Sequence, residues 1–372
     1  MLSDGLSQTS GRVNNEGSSA IKHQKQRVSL LEAGRGIAAL MVVFFHANAS
    51  SPYFGGPQIA WMRPLEVGVD FFFVLSGYVI MYAHCGDLGQ SSLVKRYITN
   101  RAIRLFPTLW LVVILAALGQ WVLLGTFDVA MFLRSMVPYP SLLEARPQVV
   151  WTLRHELLFY SVFALLIVSK RVGMSVVVAW GAGVMVFFLY SLFGNPTNSL
   201  IGFAFSTLHL NFLMGALLCL WHQRHPVRSG SLLPLMLGAA LLGLWLWGRG
   251  QLGLGRLGLS DYSSVGATLG VLITGSVCAV IVHGLVRAES RIQAPNWLLA
   301  LGASSYVLYL AHTPLNSLAQ RVAGHLPPCF LEWGGGHLAL ILAGVAVSHV
   351  LHLYAEKPLL YWLKNRKKAA AH

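Results

Sequence analysis

Arg35 and His46 sit eleven residues apart in an otherwise apolar stretch, LLEAGRGIAALMVVFFHANAS. In an α-helix eleven residues make almost three turns, so the two side chains share a face about 16 Å apart. A guanidinium is a permanent cation with a fork of donors suited to phosphate, and an imidazole is the side chain best matched to proton transfer near neutral pH. Farther along, KRYITNRAIRLFPTLW places Lys95, Arg96, Arg101 and Arg104 within ten residues. Arg101 and Arg104 are three apart and fall on one helical face, which suits a polyanionic ligand as well as a topology signal. WTLRHELLFY then carries Glu156 and Tyr160. A carboxylate in an apolar run needs a partner, such as an arginine or a histidine. Asp70 and Ser76 in EVGVDFFFVLSGYVIMY, Tyr160, and Tyr306 and His312 in ASSYVLYLAHTPL complete the polar set as acceptor-side or pore-lining candidates. Each has a plainer reading: Arg35 as a snorkelling anchor, Asp70 as an exposed interfacial acid, Ser76-Gly77 as a close helix contact.

The elements that position these residues follow from composition. Hydrophobic residues make up 55% of the 372 positions, charged residues only 11%, and the mean hydropathy is +0.61. Such a chain is a membrane protein, because a soluble fold needs far more polar surface. Ten apolar runs of about 20 residues, enough to cross the hydrocarbon, fall at 30–50, 67–84, 107–125, 149–169, 173–193, 201–221, 232–248, 262–285, 297–320 and 336–356. The expected fold class is all-α, a polytopic membrane helix bundle of about ten transmembrane helices. Residues 1–27 read as a disordered cytoplasmic tail, 28–363 as the transmembrane domain and 364–372 as a basic cytoplasmic tail. Pro107 is expected to open the third helix.

The formal net charge is +14. With the N-terminus inside, eighteen of the 27 Lys and Arg fall on the cytoplasmic side, six on the opposite side, and Arg35, Arg154 and Lys357 in or at the ends of spans. That bias puts both termini in the cytoplasm. It also accounts for the basic pI without nucleic acid, and anionic lipids suit the basic tails. Cysteines at 85, 219, 278 and 329 have no paired spacing. HELLF lacks the second histidine of a zinc-peptidase motif, so no metal site is expected.

Taken together, LEAGRGIAALMVVFFH, GVDFFFVLSGYVI, KRYITNRAIRLFPTLW, WTLRHELLFY, SSYVLYLAHTPL and AEKPLL resemble the acyltransferase-3 family of multi-pass membrane enzymes. The resemblance covers about residues 28 to 363. It implies a ten-helix bundle of the bacterial inner membrane that moves an acyl group, commonly acetyl from acetyl-CoA, onto a hydroxyl of a sugar or polysaccharide. Arg35 and His46 match the family's Arg and His positions, and Glu156 matches the acid of its Trp…Glu…Phe-Tyr block. The block's form looks like the branch that acts on exopolysaccharides, O-antigens or macrolide-like acceptors. Ending in KNRKKAAAH, the chain reads as a stand-alone type without an appended periplasmic domain.

The resemblance implies acyl-CoA as donor substrate and a carbohydrate or lipid-linked glycan as acceptor, with no bound cofactor. On that reading Arg35, Arg101 and Arg104 bind the donor and His46 acts as general base or as an acyl relay. Glu156 is expected to hold the His46 imidazole. A proton-coupled transporter using Glu156 and His46 is the rival from another class, and it would require paired internal repeats that the sequence does not display.

Overall fold

The computed structural model describes residues 28–54, 56–139, 143–193, 200–225, 230–252, 265–323, 325 and 335–369. The expected N-terminal tail, Cys329 and the last three residues of the expected C-terminal tail lie outside the described residues.

Among the described residues the chain is helical throughout, without strands. In hydrocarbon every backbone N–H and C=O must be satisfied within the protein, and a helix does this segment by segment. The elements are α1 (Ser29–Ser50), α2 (Gly68–His84), α3 (Val94–Leu124), α4 (Val129–Met136), α5 (Val150–Val168), α6 (Lys170–Leu192), α7 (Leu200–Ala204), α8 (Leu208–Arg224), α9 (Leu233–Leu252), α10 (Val265–Ala288), α11 (Asn296–Ala323), α12 (Gly335–Leu351) and α13 (Lys357–Ala369). A π-helical turn, His352–Glu356, joins the last two. Nine segments among the described residues are long and apolar enough to cross a membrane. The expected seventh span corresponds to the shorter apolar helix Leu233–Arg249. The chain is therefore a polytopic helical membrane bundle.

The third span differs from expectation. Pro107 does not open it but lies inside α3, which runs unbroken from Val94. Proline removes one amide donor and crowds the carbonyl four residues back, a loss that membrane helices absorb where neighbours re-satisfy the freed backbone. The carbonyl that Pro107 leaves without its helical donor is that of Ile103; in the same turn Tyr306 of α11 donates to the Leu105 carbonyl at 3.0 Å and ties α11 to α3. The consequence is positional: Arg101 and Arg104 ride on the same rigid helix as the buried Leu105, Thr108 and Leu109.

Two close crossings hold the centre of the bundle. Where α2 meets α8, a Cβ on Gly77 would lie 2.0 Å from the Phe212 carbonyl oxygen, and one on Gly215 would lie 1.8 Å from that of Val74. Only glycine permits that approach, as the Ser76-Gly77 pair suggested. Where α1 meets α11, Gly302 abuts the Glu32 carbonyl in the same way. Farther along the pair, Gln320 donates to the Ala47 carbonyl at 3.0 Å, so α1 and α11 run parallel. Phe73, Phe212 and Phe159 stack at 4.5 Å spacings and tie α5 to the α2–α8 pair. On the periphery, Val178 and Val186 of α6 and Leu233, Met236 and Trp247 of α9 are exposed, as a lipid-facing surface requires.

Candidate active site

Seven of the residues singled out in the sequence converge on one cleft. Arg35 comes from α1, Ser76 from α2, Arg101 and Arg104 from α3, Glu156 and Tyr160 from α5, and Tyr306 from α11, around a cavity of about 130 Å³. Three guanidiniums and one carboxylate leave the cleft cationic.

Its hydrogen bonds are directional. Ser76 donates to Glu156 Oε1 at 3.3 Å, and the Tyr160 hydroxyl makes a short bond to the same oxygen. Among the described residues no bond is made to Glu156 Oε2. Arg101 lies over the rings of Tyr97 and Tyr160, 5.8 Å from each centroid, a cation–π clamp. Its Nη2 is 3.2 Å from His84 Nε2. Arginine only donates, so His84 Nε2 accepts and its Nδ1–H is given to Asp87, 2.8 Å away. The Asp87–His84 pair thus steers Arg101 into the cleft. Neither residue was a sequence candidate; the acid three positions after a histidine in HCGD is the signal that was there. Arg35 makes no hydrogen bond or ion pair among the described residues, although Glu156 and Glu32 lie within its electrostatic range on one side and Arg104 on the other. Arg104 is exposed, at the cleft mouth.

His46 is not part of this lining, and the expected contact between its imidazole and Glu156 is absent. Glu156 is occupied by Ser76 and Tyr160, while His46 Nδ1 lies 3.0 Å from the Val42 carbonyl and 3.2 Å from His312 Nε2. His312 Nδ1 in turn lies 3.2 Å from the Leu308 carbonyl. A carbonyl only accepts, so in the neutral pair both Nδ1 atoms carry the proton and His312 Nε2 accepts. That leaves the lone pair of His46 on Nε2, which makes no hydrogen bond among the described residues. His312, considered beforehand as an acceptor or pore residue, is instead buried beside His46. The cleft reaches the pair through Tyr309, whose ring centroid is 5.8 Å from that of His312. Tyr309 itself is fixed: Thr152 donates to Val149, so it accepts from the Tyr309 hydroxyl at 2.9 Å.

Asp70 lies apart from both groups. It is fully buried between α2 and α8 and accepts from Asn211 Nδ2 at 2.7 Å, so it is neither an exposed acid nor a lining residue of the cleft. Of the acids in apolar runs, the sequence singled out Glu156 as the one needing a buried partner. The fold buries two more besides Asp70: Glu66, paired with Arg249 at 2.7 Å, and Glu356, bonded to Thr108 at 3.0 Å and His352 at 2.6 Å. Glu66 was missed because Arg249 is distant in sequence; His352 and Glu356 stand at helical spacing in the sequence, but Thr108 lies 248 positions away.

The profile of a family described as an acyltransferase domain matches residues 29–353, which spans every element of this site. The chain belongs to the acyltransferase-3 family. It is 29% identical over 324 residues, 82% of this chain and 92% of the relative, to the exopolysaccharide production protein ExoZ of Rhizobium meliloti (strain 1021). It is also 32% identical over 107 residues, 27% of this chain and 22% of the relative, to BcsY of Komagataeibacter xylinus, named as a membrane-bound transacylase. No solved structure gives a significant match. This acyltransferase is thus a multi-pass membrane enzyme, with a cationic cleft at the Ser29 end of α1 and a histidine pair farther along the parallel helices α1 and α11.

Proposed function

We propose that the enzyme transfers an acyl group, acetyl in the simplest case, from acyl-CoA to a hydroxyl of an exopolysaccharide or lipid-linked glycan. The observation that carries this reading is the convergence of Arg35, Arg101 and Arg104 on one cleft. Three guanidiniums in one cleft suit the phosphates of a CoA nucleotide, since each offers a fork of donors to phosphate oxygens. The name of ExoZ, an exopolysaccharide production protein, supports a polysaccharide acceptor. The charge bias of the loops supports a cytoplasmic arginine end with both termini on that side, and the family supports a bacterial inner membrane.

In the proposed reaction His46 Nε2 takes the proton of the acceptor hydroxyl as its oxygen attacks the thioester carbonyl. The carbon–sulfur bond then breaks, and the departing thiolate recovers a proton from the imidazolium. Direct transfer and an acyl-histidine relay use the same lone pair. Mass spectrometry of protein quenched after mixing with acetyl-CoA alone separates them, because only the relay leaves an acetylated peptide containing His46. Glu156 is assigned to the donor cleft, where its carboxylate, set by Ser76 and Tyr160, faces the charge of Arg35.

Purified protein incubated with radiolabelled acetyl-CoA and a bacterial exopolysaccharide is expected to label the glycan. Labelling that persists in His46→Ala would overturn the assignment of the base. Proton-driven solute uptake by reconstituted protein, without any acyl transfer, would favour a transporter instead.

A further inference from the structure

A second and larger cavity, of about 630 Å³, lies beside the distal halves of α3 and α11. Its wall includes Gln120, Arg146, Gln148, Thr313, Ser317 and Arg321, set among leucine, valine and phenylalanine side chains. Three observations define what it can hold. First, its position: Ala311 and Thr313 line it, and they flank His312, whose imidazole bonds His46. Because α1 and α11 run parallel, this cavity and the arginine cleft lie toward opposite ends of the helices, with the histidine pair between them. Second, its charge: among the described residues Arg321 has no hydrogen-bond partner and the Arg146 side chain donates only to Gln120, at a long 3.4 Å. The carboxylate in the wall, Asp128, is engaged in capping α4 through the Met131 amide at 2.9 Å. Third, its neutral polar groups: Ser317 brings a hydroxyl to the wall, and Gln120 and Gln148 bring side-chain amides, donors and acceptors that suit sugar hydroxyls.

A cavity with two under-used guanidiniums, amides and hydroxyls on an apolar wall matches an acidic sugar. Its carboxylate would meet the arginines, its hydroxyls the amides and Ser317, and its C–H faces the α3 side chains. We propose that this cavity is the acceptor site and that it selects an anionic saccharide, presenting a hydroxyl toward the His46–His312 pair. The proposal rests on the reading of the chain as a glycan acyltransferase and adds to it the place and the charge of the acceptor.

The test is a binding measurement on the purified full-length protein, so that it does not depend on turnover. Calorimetric titrations compare cellotetraose with the same tetramer bearing one glucuronate at its non-reducing end. The glucuronate form is expected to bind more tightly. Arg321→Gln and Arg146→Gln are each expected to weaken it on the order of tenfold, the loss typical of a charge-assisted hydrogen bond. Binding of the neutral tetramer and of acetyl-CoA should not change. Equal affinity for the two tetramers, or variants that weaken both alike, would overturn the proposal. So would displacement of the glucuronate form by phosphatidylglycerol but not by a second acidic sugar, which would assign the cavity to a lipid headgroup. Charge-selective binding without acyl transfer to any acceptor would support the cavity assignment and count against the reaction alone.

Discussion

At the scale of single residues, the proposed chemistry turns on which nitrogen of His46 carries the proton. The Val42 and Leu308 carbonyls hold both Nδ1 protons of the histidine pair, and His46 Nε2 is left as the basic atom. His46→Ala is therefore expected to lower kcat by roughly 10²- to 10⁴-fold, the range of a general base, with little change in the KM for acetyl-CoA; steady-state kinetics on purified protein reads both. His312 is a positioning residue, and its variants should behave differently from each other. His312→Ala should lower kcat and leave the donor KM alone, whereas His312→Gln, whose side-chain oxygen can still accept from His46 Nδ1–H, should recover part of the rate. Equal loss in the two variants would mean that His312 acts only through packing. At the other end of the site, His84→Ala removes the acceptor that steers Arg101. It is expected to raise the acetyl-CoA KM several-fold with kcat nearly unchanged, since one charge-assisted contact is worth roughly 1.5–3 kcal/mol when intact and less when merely loosened.

At the scale of elements, the site depends on helices brought closer than side chains normally allow. A methyl group on Gly215 or Gly77 would fall well inside van der Waals distance of a backbone carbonyl on the opposite helix. Gly215→Ala must push α8 from α2 and is expected to cost about 1–3 kcal/mol, the usual penalty of overpacking, seen as a lower melting temperature in a detergent-based thermal shift assay. Gly119 of α3, where an added Cβ meets nothing within 4 Å, is the matched control, and Gly119→Ala should leave the melting temperature where it is or raise it slightly. The same close packing explains why the cleft is small and ordered. Ser76, which bonds Glu156, is the neighbour of Gly77, so the residue that lets α8 approach also sets the depth at which the carboxylate is held. The continuity of α3 through Pro107 works in the same direction, because the arginines and the buried anchor residues belong to one rigid rod.

At the scale of the whole molecule, two cavities of different character lie toward opposite ends of the bundle, and the histidine pair stands between them. Such an arrangement suits a donor taken from one aqueous phase and an acceptor presented at the other, while the helices keep water out of the path. Orientation then becomes testable. A reporter that fluoresces only in the cytoplasm is expected to be active when fused after His372, and a periplasmic phosphatase fused there should be inactive; the reverse pattern would place the arginine cleft outside. Donor binding should also depend on ionic strength at its entrance, since Arg104 is exposed and is screened over about 10 Å at 0.1 M salt. The acetyl-CoA KM should rise with added salt, and less steeply in Arg104→Gln.

Much of this was legible in the amino-acid order. Apolar runs of membrane-spanning length specify helices, because no other local structure satisfies its own backbone in hydrocarbon. Arginines, a histidine and a glutamate within those runs mark candidate functional positions, because an ionisable group is costly there without a purpose. The spacing of Arg101 and Arg104 correctly put both on one face. The partners could not be read in the same way, since hydrogen bonds and packing between distant segments leave no local period. Only the tertiary structure decided that Glu156 holds Tyr160 and Ser76 rather than His46, that His46 pairs with His312 across 266 positions, and that Asp70 belongs to a buried contact with Asn211. It also decided that α1 and α11, parallel as the first and ninth of alternating spans, meet backbone to backbone at Gly302, with the two cavities on either side of the histidines. Sequence determined which groups are present and that a membrane must surround them; the approach of helices to within a backbone's width determined which of those groups meet.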